Sequence, residues 1–243
     1  MFKTSAIILK TTKYGETSLV VSAFTELFGV QTYMVNGVRT NKKTGLKASL
    51  YQPASVVDME VYHNEKKTLH RIRECNRKHI FMNVLSDVVK NSIAVFMMEL
   101  MYKLLKQPEP NADLFYFCED TLLQLDEAPA NIAANLPLFF TLHLSSFFGF
   151  KIDDNYSEEN CFLDLQEGNF IPERPHHTHF LSGENAMLSS ELLKIMIPAE
   201  LSQLKMNKLK RRELLAKYMD YYALHINEFG IMKTLMVMQE VLG

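Results

Sequence analysis

Residues 2–35, FKTSAIILKTTKYGETSLVVSAFTELFGVQTYMV, contain three short runs of β-forming residues with glycines in the gaps between them. Runs of this length, rich in Val, Ile, Thr and aromatic residues and bounded by turn residues, are typical of strands. The three predicted strands span Thr4 to Thr12, Ser18 to Thr25 and Val30 to Val35. The chain is therefore expected to begin with β-structure and short connections.

Two further β-type runs follow, from Ser55 to His63 and from Thr68 to Asn76, with turn residues between them. Five strands within about 75 residues predict a small closed barrel. The longest gap, Asn36 to Ala54, lies between the third and fourth runs. A five-stranded Greek-key barrel of the OB type carries its long connection at that place. We therefore predict an OB-fold barrel over residues 1–78.

Beyond Ile80 the apolar residues recur at intervals of three and four, which is the period of an amphipathic helix. The first such stretch runs from Phe81 to Leu105 and ends before Pro108. Residues 149–184 lose this period and indicate an irregular insertion. The predicted fold class is α+β, with the N-terminal five-stranded OB-fold β-barrel followed by an α-helical bundle over residues 79–243. Further helices are predicted at Ala112 to Leu125, Asn131 to Phe148, Ser190 to Met196, Lys208 to His225 and Ile231 to Leu242.

Charge is distributed unequally between the two predicted domains. Through Lys78 there are 13 Lys and Arg against 6 Asp and Glu, a net of +7, and the remainder carries 13 against 22, a net of −9. The near-neutral total thus joins a basic module to an acidic one. A basic module of this kind indicates a polyanionic partner.

Three cysteines at irregular spacing provide neither a disulfide framework nor a CxxC zinc pair, which is typical of a reducing cytoplasm. The apolar run in the first ten residues is too short for a secretory signal. Ala128 to Phe150 lacks charged residues, but its Asn, Ser and His side chains favour a buried helix over a membrane span. We therefore expect a cytoplasmic protein without a membrane segment.

The long connection between the third and fourth predicted strands concentrates cations with no acidic residue nearby, and one tyrosine precedes these cations and another follows them. Cations beside flat aromatic rings are what a groove for single-stranded nucleic acid requires. A solvated loop that only keeps the protein soluble is the alternative, but a barrel of net +7 favours nucleic acid. The candidate DNA-binding residues here are Arg39, Lys42, Lys43, Lys47, Tyr33 and Tyr51.

A second group of cations surrounds the turn between the fourth and fifth predicted strands. Strand alternation places Arg71 and Arg73 on one face, where they would extend the same track. An ordinary solvent-facing strand would show the same pattern, so both interpretations stay open. The candidate residues of this group are Lys66, Lys67, Arg71 and Arg73.

The acidic second domain contains one basic stretch, KMNKLKRRELLAK at residues 205–217. If Asn207 caps a helix here, four cations crowd its first turn and a half, at the positive end of the helix dipole: Lys208, Lys210, Arg211 and Arg212. Cations are unfavourable there unless an anion is bound, so a carboxylate or phosphate partner is indicated. Lys208, Arg211 and Arg212 are the candidate residues for binding a partner's acidic tail. The alternative is a basic helix face neutralised by acids of the same domain.

Metal binding and catalysis find little support in the sequence. Cys161, His176, His177 and His179 do not have a usual zinc spacing, and histidines in a polar loop are more often surface residues. The nine glycines form no phosphate-binding loop, and no nucleophile has an obvious base. We therefore predict a non-enzymatic protein with no cofactor and no metal.

Four segments resemble the bacterial RecO family of recombination mediators: AIILKTTKYGETSLVVSAFTELFG, VNGVRTNKKTG, LYQPASVVDMEVYH and RRELLAKYMDYYALHINEFGIMKTLMVMQEVL. The resemblance implies an OB fold joined to a helical domain and a role in DNA repair and recombination in the bacterial cytoplasm. It implies binding of single- and double-stranded DNA and annealing of complementary strands. It also implies contact with the acidic C-terminal tail of single-stranded DNA-binding protein, and cooperation with RecR in loading RecA. The four cations of the long connection match the position of the family's DNA-contacting loop.

One feature departs from the family pattern. Many members carry a four-cysteine zinc module in the helical domain, and residues 149–184 occupy its place with Cys161 alone. Zinc is therefore not implied, and the insertion is expected to fold without metal. The family's pocket for the acidic tail lies in its helical domain, whereas the assignment of Lys208, Arg211 and Arg212 to it comes from the charge pattern.

Two other classes of function compete with this interpretation. A protein-binding adaptor would have a basic barrel suited to an acidic partner protein and would show no salt-dependent binding of DNA. A metal-dependent hydrolase using His176, His177 and His179 would require stoichiometric zinc or manganese, and its loop lacks an evident buried base.

Replacing Arg39, Lys42 and Lys43 together by Glu is expected to remove most of the affinity for single-stranded DNA, because attraction to phosphates becomes repulsion. Fluorescence anisotropy with a labelled oligonucleotide measures the change. A triple variant that binds as tightly as the unmodified chain would rule out the assigned loop.

Overall fold

Five strands close into a barrel in the order β1-β2-β3-β5-β4, and β4 pairs with β1 to complete the circle. The computed structural model describes residues 1–38 and 48–241. β3 and β5 are parallel and the other pairs are antiparallel. This topology confirms the predicted OB barrel. The strands are β1 (Phe2–Tyr14), β2 (Ser18–Thr25), β3 (Gly29–Val35), β4 (Val56–Tyr62) and β5 (His70–Arg77).

Strand alternation fills the barrel interior with apolar side chains. In β3 the residues Gln31, Tyr33 and Val35 are buried, and the residues between them are partly exposed. The register of β1 shifts at Leu9, so that Lys10 pairs with Ser22 on β2 and faces outward. The core consists of Ala6, Ile8, Leu19, Val21, Ala23, Tyr33, Val35, Val38, Tyr51, Val57, Met59 and Val61.

The barrel closes through a short parallel contact between β3 and β5, in which Tyr33 pairs with His70. A column of rings stacks beside this seam. The ring centroids are 4.0 Å apart between Phe28 and His63 and 4.7 Å apart between His63 and His70. The seam therefore depends on side-chain stacking as well as on backbone hydrogen bonds.

His70 is only 3% exposed, and neither its ring nitrogens nor the hydroxyl of Tyr33 has a hydrogen-bond partner in the described part of the chain. Burial lowers the pKa of His70, and the charges of His63 and Lys67 add to this effect. The neutral imidazole is therefore the form that fits this seam.

Two helices follow the barrel, α1 (Val88–Leu104) and α2 (Ala112–Glu127). α2 confirms the helix predicted from Ala112. α1 begins later than the predicted start at Phe81, because Asp87 is its N-cap and accepts a hydrogen bond from the backbone N–H of Lys90 at 2.8 Å.

Asp126, near the end of α2, holds the segment that precedes α1. Its carboxylate accepts hydrogen bonds from the backbone N–H groups of Met82, Asn83 and Val84 at 2.7–2.9 Å. Burial alone would raise the pKa of Asp126, but these hydrogen bonds and the charge of Lys90 outweigh it and lower the pKa. Because these three N–H groups bind the carboxylate of Asp126, the segment is held in a non-helical conformation and the helix does not extend back to Phe81.

A largely buried ionic contact joins the end of the barrel to α2. The carboxylate of Glu119 lies 2.8 Å from Nζ of Lys78 and 2.9 Å from Nε2 of His79. The ammonium of Lys78 also lies 5.7 Å from the ring centroid of Phe115 on α2. Breaking such a contact by removing one partner typically costs about 3–5 kcal/mol, so Glu119 fixes α2 beside the barrel.

The remaining residues form a second compact unit, Glu127–Gly243, after the first unit, Met1–Asp126. A helix over Lys208–His225 confirms the prediction for that segment, whereas the predicted helix Asn131 to Phe148 is interrupted between Ala133 and Leu136. Pro137 lies in the first turn of the helix Leu136–Ser145, where its missing N–H is tolerated. The helices are α3 (Ala130–Ala133), α4 (Leu136–Ser145), α5 (Glu184–Lys194), α6 (Lys208–His225) and α7 (Lys233–Val241), with 3₁₀ turns at Ser146–Phe148 and Pro198–Gln203.

The insertion contains a three-stranded sheet in the order β7-β6-β8, formed by β6 (Phe162–Asp164), β7 (Asn169–Ile171) and β8 (Phe180–Leu181). The side-chain amide of Asn155 accepts from the N–H of Phe170 and donates to its carbonyl, both at 2.8 Å. Asp164 lies 3.2 Å from Nε2 of His177. Among residues 1–38 and 48–241, no three His, Cys, Asp or Glu side chains form a group that could hold a metal ion.

β5 ends at Arg77, next to the predicted domain boundary at Lys78, whereas the first compact unit also includes α1 and nearly all of α2. Within the described ranges, no helix is both long enough and apolar enough to cross a membrane.

The stability of the barrel should fall as the pH is lowered through the histidine range. The pKa of His70 is lower in the folded chain than in the unfolded chain, so the unfolded chain binds more protons. The contribution of His70 to stability is therefore complete above its unfolded pKa and is lost as the pH falls towards its folded pKa. His70→Phe keeps a ring at the seam without the unpaired nitrogens and should reduce the loss. Urea unfolding at about pH 7.5 and about pH 5.5 tests this.

The exposed His176 provides the control, since His176→Gln should leave the pH dependence unchanged. Equal losses of stability in the unmodified chain and in His70→Phe would contradict the assignment.

Candidate nucleic-acid interface

The outer surface of the barrel has three sectors, which differ in the burial and the charge of their outward side chains. In the first sector the outward side chains of Ile7 and Phe24 are buried, and the ring of Phe24 lies 5.7 Å from that of Phe115 on α2. Packing against the helices of the same unit removes this sector from solvent. It is not accessible to a ligand.

The second sector is acidic. Asp58 and Glu60 from β4, Glu74 from β5 and Glu26 from the β2–β3 turn line a cleft of about 470 Å³. Lys3 lines the same cleft and lies 3.9 Å from Glu60, so the four carboxylates outnumber the lysine and the cleft repels the phosphates of a nucleic acid. We call this region the acidic sector.

The third sector consists of the outward face of β1, β2 and β3 beyond the bulge at Leu9. Lys10 pairs with Ser22, which in turn pairs with Thr32, so one row of polar side chains crosses three strands. None of the outward residues here carries a carboxylate, and we call this region the open sector. Its outward residues are Lys10, Thr12, Tyr14, Ser18, Val20, Ser22, Thr32 and Met34.

Arg71 extends the open sector onto β5. It pairs with Met34 of β3 on one side and with Tyr62 of β4 on the other. Arg71 and Tyr62 are both exposed, and in the described chain no carboxylate lies within ion-pair distance of Arg71. The predicted cation at this position is therefore accessible to an anionic ligand.

Arg73 lies in a different environment from Arg71. The β4–β5 register shifts at this point, and the guanidinium of Arg73 lies 3.1 Å from the carboxylate of Glu60 in the acidic sector. Lys66 and Lys67 are exposed in the turn between the two strands, where Asn64 accepts hydrogen bonds from both of their backbone N–H groups. Within the second predicted group of cations, Arg73 is therefore paired with a carboxylate, whereas Lys66, Lys67 and Arg71 are exposed.

The four cations of the predicted DNA-binding loop, Arg39, Lys42, Lys43 and Lys47, lie outside the described residues. The described chain leaves the barrel at Val38, whose N–H donates to the carbonyl of Thr17 at 3.0 Å. It resumes at Ala48, and Ser49 accepts a hydrogen bond from Arg77 at 2.9 Å. Their role in binding stays a prediction.

Tyr33 and Tyr51 do not fit the stacking role that the sequence indicated. Both rings lie in the barrel core, and their faces pack against core side chains instead of solvent. Burial raises the pKa of Tyr33, and burial together with Cys75 raises that of Tyr51. Their closeness in sequence to the basic loop was misleading, because strand alternation points Tyr33 inward.

Sequence reasoning missed the exposed aromatic residues of the first unit. Tyr14 and Tyr62 stand on the outer face of the barrel, and Tyr102 stands on α1. Strand alternation would have identified Tyr14 and Tyr62, because each stands two residues after an outward polar residue of the same strand. The position of Tyr102 beside the barrel depends on tertiary packing.

The start of α6 places the predicted partner-tail residues at one site. Asn207 caps the helix and accepts from the N–H of Lys210 at 2.9 Å. The side chains of Lys208, Arg211 and Arg212 border a small apolar hollow, whereas Leu209 is 74% exposed. The apolar part of the hollow is formed by Ala134, Pro137, Leu138, Leu215 and Met238.

The four cations of this helix start differ in their electrostatic partners. Lys210 lies 3.1 Å from Glu184 and 3.4 Å from Glu213. Arg211 donates to the carbonyl of Met206 at 2.6 Å, and burial lowers its pKa. In the described ranges, no carboxylate lies within 4.0 Å of Lys208, Arg211 or Arg212. The acids of the domain therefore neutralise Lys210 and leave three cations around the apolar hollow.

Comparison with known proteins matches both parts of the chain. Residues 1–81 match the family model described as "Recombination protein O N terminal", and residues 85–234 match "Recombination protein O C terminal".

Similar full-length proteins are named DNA repair protein RecO. The protein from Phocaeicola vulgatus is 31% identical over 98% of both chains, and that from Flavobacterium psychrophilum is 31% identical over 98% of both chains. The protein from Christiangramia forsetii is 28% identical over the whole of both chains.

Proposed function

Because the chain belongs to the RecO family of DNA repair and recombination proteins, we propose that it is a recombination mediator that binds single- and double-stranded DNA and anneals complementary strands. In this proposal it acts in the bacterial cytoplasm with RecR and helps to load RecA on DNA coated by single-stranded DNA-binding protein. The proposed DNA contacts are the basic loop, Lys66, Lys67 and Arg71, together with the open sector.

The observation that carries the proposal is the separation of charge on the barrel surface. Carboxylates collect in the acidic sector, and the open sector contains none among its outward residues. A strand of DNA is repelled from the first and attracted to the second by Lys10 and Arg71. Exposed rings at Tyr14 and Tyr62 offer faces on which bases can stack.

Annealing of this kind requires no catalytic group and no nucleotide hydrolysis. Each base-pair step that forms releases about 1.4 kcal/mol of stacking free energy. The protein has only to screen the repulsion between phosphates and hold two strands near each other.

The hollow at the start of α6 is proposed as the site for the acidic tail of single-stranded DNA-binding protein. Lys208, Arg211 and Arg212 provide three cations at the positive end of a helix dipole, and the hollow between them accepts an apolar side chain. An acidic peptide with an apolar residue matches both features.

Binding of single-stranded DNA should depend strongly on salt. With roughly five phosphates neutralised, the slope of about −0.7 per contact gives on the order of a hundredfold loss of affinity from 50 to 200 mM salt. Arg71→Ala should lower the slope by about one contact, and Arg73→Ala should change it less because Arg73 is paired with Glu60. Anisotropy titrations across this salt range measure both slopes.

A flat, salt-insensitive titration combined with tight binding to an acidic protein would favour the adaptor function instead.

Lys208→Glu and Arg212→Glu should each weaken binding of the acidic tail peptide, by about fivefold for a partly exposed charge. Lys210→Ala is the matched control, since Lys210 is already paired with Glu184 and Glu213. Anisotropy with a labelled tail peptide gives the affinities.

Annealing of oligonucleotides coated with single-stranded DNA-binding protein then tests the mediator role. It should fail when the tail is deleted and become slower when Lys208→Glu is used, and annealing of bare oligonucleotides should persist. Equal annealing with and without the tail would remove this part of the proposal.

A further inference from the structure

A cleft beside the open sector is formed by segments of the first unit that are distant in sequence. β2 and β3 contribute Ser22 and Thr32, and the β4–β5 turn contributes Lys67. The end of α1 and the residues after it contribute Tyr102 and Lys106. The cleft has a volume of about 450 Å³, which lies in the range of ligand-binding sites. We call it the Tyr102 cleft.

The ring of Tyr102 is oriented by a cation–π contact and still meets solvent. Nζ of Lys10 lies 4.7 Å from the ring centroid, within the range in which an ammonium is attracted to an aromatic face. The residue is nevertheless 39% exposed. An aromatic ring that is held in place and still meets solvent is what a stacking site for a base requires.

The charge around the Tyr102 cleft favours an anionic ligand. Lys10, Lys67 and Lys106 bring three positive charges, and Glu65 brings one negative charge, a net of +2. Within the described residues, none of the three lysines has a carboxylate within ion-pair distance. They are therefore accessible to phosphates.

The Tyr102 cleft is continuous with the open sector. Lys10, Ser22 and Thr32 form one row across the strands, and Ser22 and Thr32 also line the cleft. Tyr14 is four positions beyond Lys10 on β1, a distance of about 13 Å at about 3.3 Å per residue. One extended strand can therefore contact both places.

We propose that Tyr102 stacks on an unpaired base of single-stranded DNA, and that Lys10, Lys67 and Lys106 bind the adjoining phosphates. The proposal rests on the proposed function and assigns a subsite of DNA binding on helix α1, outside the basic loop. An unpaired strand fits better than a duplex, because only an unpaired base presents its face to the ring.

The chain contains no tryptophan, so Tyr102→Trp introduces a single fluorescent indole at the proposed site. Stacking of a base should quench its emission when oligo(dT) is added. Tyr116→Trp is the matched control, because Tyr116 is also helical and is 45% exposed. Its hydroxyl donates to Glu26, which lines the acidic sector, so its emission should not change.

Removing the ring should weaken binding without removing a charge. Tyr102→Ala is expected to lower affinity for oligo(dT) about five- to tenfold and to leave the salt slope unchanged, whereas Tyr102→Phe stays within about twofold. Lys106→Ala should reduce the magnitude of the salt slope by about 0.7. Glu65→Gln should strengthen binding, since it removes a carboxylate that lines the cleft.

Ligands without bases provide the complementary test. With an oligonucleotide that carries abasic sites throughout, Tyr102→Ala and the unmodified chain should bind equally. Thermal unfolding of each variant confirms that the barrel is intact.

These experiments distinguish failure of the proposed function from failure of the stacking site alone. If the unmodified chain does not bind oligo(dT), the proposed function fails and this proposal fails with it. If the unmodified chain binds, but Tyr102→Ala binds equally well and the indole of Tyr102→Trp is not quenched, only the stacking site is overturned.

Discussion

The closed barrel imposes one constraint on which the rest of the structure depends: every side chain on a strand points either into the core or out of it. Two one-residue irregularities set the phase of this alternation. The bulge at Leu9 brings Lys10 and Tyr14 onto the outer face. The irregularity at Arg73 places it beside Glu60 while Arg71 remains in the open sector. The position of a single extra residue in each strand therefore decides which charges can meet a ligand.

The helices of the first unit are fixed to the barrel by contacts that the sequence pattern does not show. Asp126 binds three successive backbone N–H groups before α1, and Glu119 binds Lys78 and His79 at the end of β5. Gly29 has a φ of +63°, and a Cβ there would collide with the backbone of Glu109 between α1 and α2. This close approach holds the end of α1 next to β2 and β3, where the Tyr102 cleft forms.

The sequence predicted the features that depend on local pattern. Alternation and turn residues identified the five strands, and the helical period identified α2 and α6 with Asn207 as the cap of α6. Features that depend on distant contacts were not predictable in this way. Phe81 is outside α1 because of Asp126, which is far away in sequence. Tyr33 was assigned to the DNA-binding surface because it stands close to the basic loop in sequence, whereas in β3 its side chain points into the core. Tyr102 acquires its surroundings only when α1 packs beside the barrel.

The exposure of the cations in the open sector affects how the proposed annealing would proceed. Its cations, Lys10 and Arg71, are exposed side chains on strands, not buried groups that enclose a phosphate. Exposed charges bind phosphates weakly one at a time and are screened by salt, so a strand is held by several contacts that break independently. The stacking that we propose for Tyr102 is available only to an unpaired base. In the proposed annealing, the bases of two strands that pair would leave such a ring and stack on one another, so duplex formation itself would remove part of the affinity and favour release of the product.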